Sequence, residues 1–148
     1  MEAIFAQSAQ PDTHAAPASK KARWAGVTLS ALAIAFLLFD SIMKLVKVPP
    51  VVEAMSRLGY PDATARPIGL VLLGCIVLYV VPRTAVLGAV LLTGFLGGAI
   101  ATHVRVEDPL FSHTLFPVYV ATLAWGGLYL RDARVRALTP WLNRSATR

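Results

Sequence analysis

Four stretches of this chain, 25–39, 67–82, 84–102 and 114–130, contain no Asp, Glu, Lys or Arg. The remaining composition agrees with what they imply. Across 148 residues 56% are hydrophobic and only 15% charged, with a mean hydropathy of +0.62, whereas a soluble domain carries about a quarter charged residues. In hydrocarbon a backbone must satisfy its own hydrogen bonds, so each block reads as a membrane-spanning helix.

Crossing about 30 Å of hydrocarbon takes roughly 20 residues at 1.5 Å each. The blocks therefore predict helices over 24–47, 64–82, 84–104 and 109–130. The first continues through Asp40, and the second gains a turn from Ala63 to Arg66 with Pro67 in its first turn. The fourth starts at Pro109 with Asp108 as N-cap. Short connections make the expected fold all-α, an integral membrane four-helix antiparallel bundle.

The longest connection, 48–63, places Val51, Val52, Met55 and Leu58 at helical spacing opposite Glu53, Ser56 and Arg57. It predicts a short amphipathic helix at the interface after the first span. Around this domain, 23–136, the polar Ala/Pro-rich 1–22 segment reads as a disordered cytoplasmic tail and 137–148 as a C-terminal cytoplasmic tail. Glu2 and Asp12 near the start, and no small-residue cleavage site after the first apolar run, make the first helix an expected uncleaved anchor.

Lys20, Lys21, Arg23, Arg83, Arg131, Arg134, Arg136, Arg144 and Arg148 would share one side, against Lys47, Arg57, Arg66 and Arg105 on the other. Basic residues stay on the cytoplasmic side, which predicts a multi-pass protein of the bacterial inner membrane with both termini cytoplasmic. The net charge of +6 then reports topology and contact with anionic lipid; no basic patch on a folded surface points to nucleic acid. The single cysteine, Cys75, lies mid-span and has no partner. It reads as a small buried hydrophobe, and dithiol exchange by this chain alone is excluded.

Polar residues placed where lipid is expected deserve a chemical reading. Asp40 lies about 24 Å along the first helix from Trp24, where an unpaired charge costs a few kcal/mol or more. Lys44, four residues on, shares its face in the favourable order for an ion pair. The pair is either a structural clasp, with Lys44 snorkelling, or the lining of a polar cavity with Asp40 as a proton or ligand group. The segment THVRVEDPLFSH, 102–113, brings His103, Arg105, Glu107, Asp108 and His113 to the same end. It is either an interfacial loop that caps a helix and meets headgroups, or part of a ligand site. No HExxH or similar spacing occurs, so no metal is expected.

Gly94 and Gly98 have the small-xxx-small spacing that lets helices approach closely in lipid, and predict helix packing. Pro117 withholds a donor from its helix and predicts a kink beside the loop.

The combination of DSIMKL ending the first span, LGYP, VPRTAVLG, ATHVR and LFSHTLFP resembles the DoxX-like family of small four-span bacterial membrane proteins, over roughly 24–136. The resemblance points to Asp40, Lys44, Tyr60, Pro61, Arg83, Thr102, His103, Arg105 and His113. It also implies a link to the wider DoxX/DoxD group, associated with a thiosulfate:quinone oxidoreductase and with membrane oxidoreductase complexes. No cofactor motif is evident, so redox work would rest on a bound quinone or a partner subunit.

The expectation is an accessory protein with an outward-facing polar pocket for a small lipophilic or quinone-like ligand, built from Asp40, Lys44, His103, Arg105 and His113. Phe36 and Phe95 would bury the ligand's body. Two alternatives stand: a subunit of a quinone-linked oxidoreductase acting on small sulfur compounds, and a membrane scaffold assembling through its glycine faces, as a homo-oligomer or with a partner membrane subunit. Whether the chain is an enzyme is left open by its sequence.

Overall fold

The computed structural model describes residues 19–138, and the regular elements among them are all helical. Helix α1 (Lys20–Val46) begins four residues before the expected start, because Ser19 Oγ accepts from the Ala22 amide at 3.2 Å and caps it. It stops where Lys47 turns left-handed, φ 58°, with its N–H returned to Met43 O. Pro49 and Pro50 then open α2 (Pro49–Arg57), which buries Met55 and exposes Glu53, Ser56 and Arg57. A 3-10 turn, Asp62–Thr64, leads into α3 (Ala65–Val80), followed by α4 (Ala85–Arg105). The tails expected at 1–22 and 137–148 lie outside the described residues except at their inner edges. There Lys20–Ala22 belong to α1, and the last turn of α6 (Ala133–Leu138) reaches into the second tail.

Among the described residues three helical runs are long and apolar enough to cross a membrane: Lys20–Val46, Asp62–Val80 and Ala85–Arg105. The fourth departs from expectation. Instead of one helix from 109 to 130, a π-helical segment, Leu110–Thr114, precedes α5 (Phe116–Arg131). The Thr114 amide reaches back five residues to Pro109 O, and Leu115 to Leu110 O. Pro117 has no N–H to give, so it sits in the first turn of α5, where none is needed, and the backbone breaks just before it. Asp108 does not cap this helix; its carboxylate is turned toward His103.

Helix α1 packs on α3 and α5, and α4 packs on the same two. The core runs through Leu37, Leu72, Ile76, Leu92 and Leu128, while Leu32, Phe39, Leu70, Val77 and Val90 face outward. Such an apolar exterior suits a protein surrounded by lipid. Close approach is made by glycines at one end: a Cβ on Gly127 would lie 2.4 Å from Ser30 Oγ, and one on Gly26 2.8 Å from Gly127 O. A Cβ on Gly88 would lie 2.2 Å from the Tyr79 amide nitrogen. Gly94 and Gly98 meet nothing within 4 Å, so within one chain they pack no helix.

Tyr79 is buried near the same end. Its hydroxyl donates to Ala124 O at 2.7 Å and pairs with Ser30 Oγ at 2.9 Å, which joins α1, α3 and α5. These contacts place the start of α1, the α3–α4 turn and the end of α5 together. Among the described residues that end holds Lys20, Lys21, Arg23, Arg83, Arg131, Arg134 and Arg136, with Asp132 as its acid. The opposite end has, among the described residues, five acids, Asp40, Glu53, Asp62, Glu107 and Asp108, against five bases, Lys44, Lys47, Arg57, Arg66 and Arg105.

Candidate functional site

At the charge-balanced end a cavity of about 430 Å³ opens between α1, α4 and α5, with α2 along one side. Its body is apolar. Phe36 and Phe116 pack ring edge to ring face with centroids 4.9 Å apart, and Phe95, Leu96 and Val120 also line it. Gly94 and Gly98 also line it: the missing side chains leave this volume open. The α2 segment contributes Met55 and, just beyond it, Leu58 and Tyr60.

The polar groups gather at one end. Lys44 Nζ donates to Asp40 Oδ1, one turn away on α1, and both line the cavity. This bond leaves Asp40 Oδ2 without a protein partner among the described residues, and an ammonium has three donors. Tyr60 OH and Thr102 Oγ1 lie 2.8 Å apart, and Thr102 Oγ1 donates to Gly98 O at 2.9 Å. Its one proton is thereby spent, so Tyr60 is the donor of the pair. His103 completes the set.

The His103 ring is held from behind. Nδ1 lies 2.6 Å from Asp108 Oδ2, and Asp108 Oδ1 lies 3.8 Å from an Arg57 guanidinium nitrogen. The hydrogen bond to His103, then the nearby charges of Arg57 and the two histidines, keep the Asp108 carboxyl below its ordinary pKa against the opposing effect of desolvation. An ionised carboxylate at Nδ1 selects the Nδ1–H tautomer. Nε2 is thus an acceptor while the ring is neutral and a donor once it is protonated.

Two of the residues expected in the pocket stand outside it. Arg105 turns away from Asp40 and Lys44 and donates to Leu58 O, where the α2 helix ends with free carbonyls. His113 lies behind the His103 ring, centroids 5.9 Å apart and edge to face, with Nδ1 2.8 Å from Ser112 Oγ. The π-helical segment rotates His113 off the face that a continuous α-helix would have presented. Asp40, Lys44 and His103 do converge. Tyr60 with Thr102, both positions to which the family resemblance pointed, and the apolar edge from α2 complete the lining. Among the described residues no three His, Cys, Asp or Glu side chains gather as metal ligands would.

A family model described as the DoxX-like family matches residues 28–127. The chain belongs to the DoxX-like family. The match spans the cavity-lining parts of all four long helices together with α2, so the pocket of this DoxX-like protein lies wholly within the family region. No curated protein and no solved structure matches the chain.

Proposed function

We propose that this DoxX-like protein is a four-span antiparallel bundle of the bacterial inner membrane whose outward-facing pocket binds a small lipophilic, quinone-like ligand in an accessory role. Together the π-helical segment and α5 reach the roughly 20 residues a span requires. The excess of Lys and Arg at the α1 N-terminal end among the described residues supports a cytoplasmic placement of that end. In this reading α2 lies along the outer interface with Met55 inward.

The observation that carries the reading is the asymmetry of the cavity: an aromatic and aliphatic body with Asp40, Lys44, Tyr60 and His103 confined to one end. Ligand pockets combine an apolar lining with a few placed polar groups. A ring carbonyl would accept from Lys44 or protonated His103, and a hydroxyl would donate to Asp40 Oδ2 or neutral His103. A second reading, a subunit of a quinone-linked oxidoreductase, draws support from the His103–Asp108 pair, which suits a proton-accepting imidazole.

Short-chain ubiquinone, added to the purified protein, is the probe. It should raise the unfolding temperature of the wild type, and the paired substitutions Asp40→Asn and His103→Ala should remove that shift. An equal shift in the double variant would refute the site.

A further inference from the structure

We propose a second binding site, at the opposite end of the molecule, that seats one acidic phospholipid with its phosphate on Arg131 and an acyl chain in a groove between α1 and α3. The groove has a volume of about 160 Å³ and is lined by Val27, Ser30, Ala31, Ile34, Val80 and Arg131. Five of these six are small or apolar, and Val27, Ala31 and Val80 are exposed on the outer surface of the helices. The groove therefore opens where lipid chains would lie.

Arg131 closes the groove with an under-used guanidinium. Its NH2 nitrogen reaches Tyr79 O at a long 3.4 Å, and its Nε is buried without a hydrogen-bond partner. The guanidinium carbon stands 5.2 Å from the centre of the Tyr79 ring, which fixes its position by cation–π attraction. Among the described residues no carboxylate lies within salt-bridge distance of it. Asp132, the acid at this end among the described residues, is taken by Arg134, whose guanidinium approaches it at 2.8 Å.

An arginine with spare donors, aimed at no acid, is built for a planar or tetrahedral oxyanion. Among the described residues, seven bases against one acid at this end add a field that favours an anionic headgroup over a zwitterionic one. The occupant is supplied by the bilayer itself. A phosphate at the interfacial level meets Arg131, and the attached chain runs along Val27, Ala31 and Ile34 toward the membrane centre. Tyr79 links the site to the core, since its hydroxyl holds Ser30 and Ala124 O together.

Native mass spectrometry of the delipidated full-length protein in neutral detergent tests this, with phosphatidylglycerol and phosphatidylcholine of identical chains as probes and inorganic phosphate as competitor. The wild type should retain one phosphatidylglycerol in preference to phosphatidylcholine. Arg131→Gln should reduce that preference roughly tenfold or more, as loss of a charge-assisted hydrogen-bond pair requires. Arg134→Gln should preserve it.

Ala31→Trp, which fills the groove from an exposed position and leaves every charge in place, should also abolish retention and does not depend on Arg131 for folding. Equal retention by Arg131→Gln or by Ala31→Trp would overturn the site. So would an equal loss in Arg134→Gln, which signifies diffuse charge, or full competition by inorganic phosphate, which signifies a headgroup site with no acyl groove.

Discussion

Alanine at Gly88 and alanine at Gly98, ten residues apart on one helix, should act in opposite directions. At Gly88 the new Cβ lies 2.2 Å from Tyr79 N and 2.5 Å from Tyr79 Cα. Both are backbone atoms, so relief requires α3 and α4 to separate at their tight turn, and overpacking of this kind costs about 1–3 kcal/mol. At Gly98 nothing lies within 4 Å, and removing glycine's extra backbone freedom inside a helix contributes about 0.5–1 kcal/mol. The two variants should therefore differ in stability by roughly 1.5–4 kcal/mol.

Unfolding in mixed micelles with rising denaturing-detergent content, followed by helical circular dichroism, measures the difference. Gly98→Leu extends the experiment to function: the fold should persist, and the short-chain ubiquinone shift should vanish because the side chain occupies the cavity. If Gly98→Ala destabilises as much as Gly88→Ala, the Gly94–Gly98 face is covered by another helix in the native assembly. The open-pocket reasoning would then give way to a scaffold built from copies of this chain.

Two further outcomes follow from the polar contacts. The folded-state pKa of Asp108 lies below its ordinary value, so its contribution is complete above that value, about 3.9, and disappears as pH falls through the lowered one. Hydrogen exchange in α2, which Arg57 ties to Asp108, should stay slow at pH 5 and quicken only below the ordinary carboxylate range; an unchanged acid profile in Asp108→Asn would contradict this. Tyr79→Phe keeps the ring beside Arg131 but deletes the bonds to Ala124 O and Ser30 Oγ. It should cost about 0.5–2 kcal/mol in the same detergent titration, and no loss would mean that a water replaces the hydroxyl.

Charge-free blocks, read against the thickness of hydrocarbon, were enough to locate all four long helices to within a few residues at most of their ends, because a helix in lipid is a local solution to a local problem. Asp40 and Lys44 were legible as a pair for the same reason, being one turn apart on one helix. The DoxX-like resemblance rested on short motifs and needed no coordinates. What depended on packing was hidden. The α-helical period places His113 toward the pocket and makes Asp108 a cap, but the π-helical segment imposed between Pro109 and Pro117 turns His113 behind His103 and frees Asp108 to hold that ring. Arg105 was expected at the mouth and instead serves α2, because the free carbonyls of that helix come to rest beside it.

The glycines mark the boundary most sharply. Small-xxx-small spacing says only that a helix has a bare stripe. Whether that stripe receives another helix, as at Gly26, Gly88 and Gly127, or leaves a cavity, as at Gly94 and Gly98, is set by how the neighbouring helices are rotated about their axes. That rotation is a property of the whole assembly of helices, decided where Tyr79, Ser30 and the apolar core find their partners, and no single segment of sequence contains it.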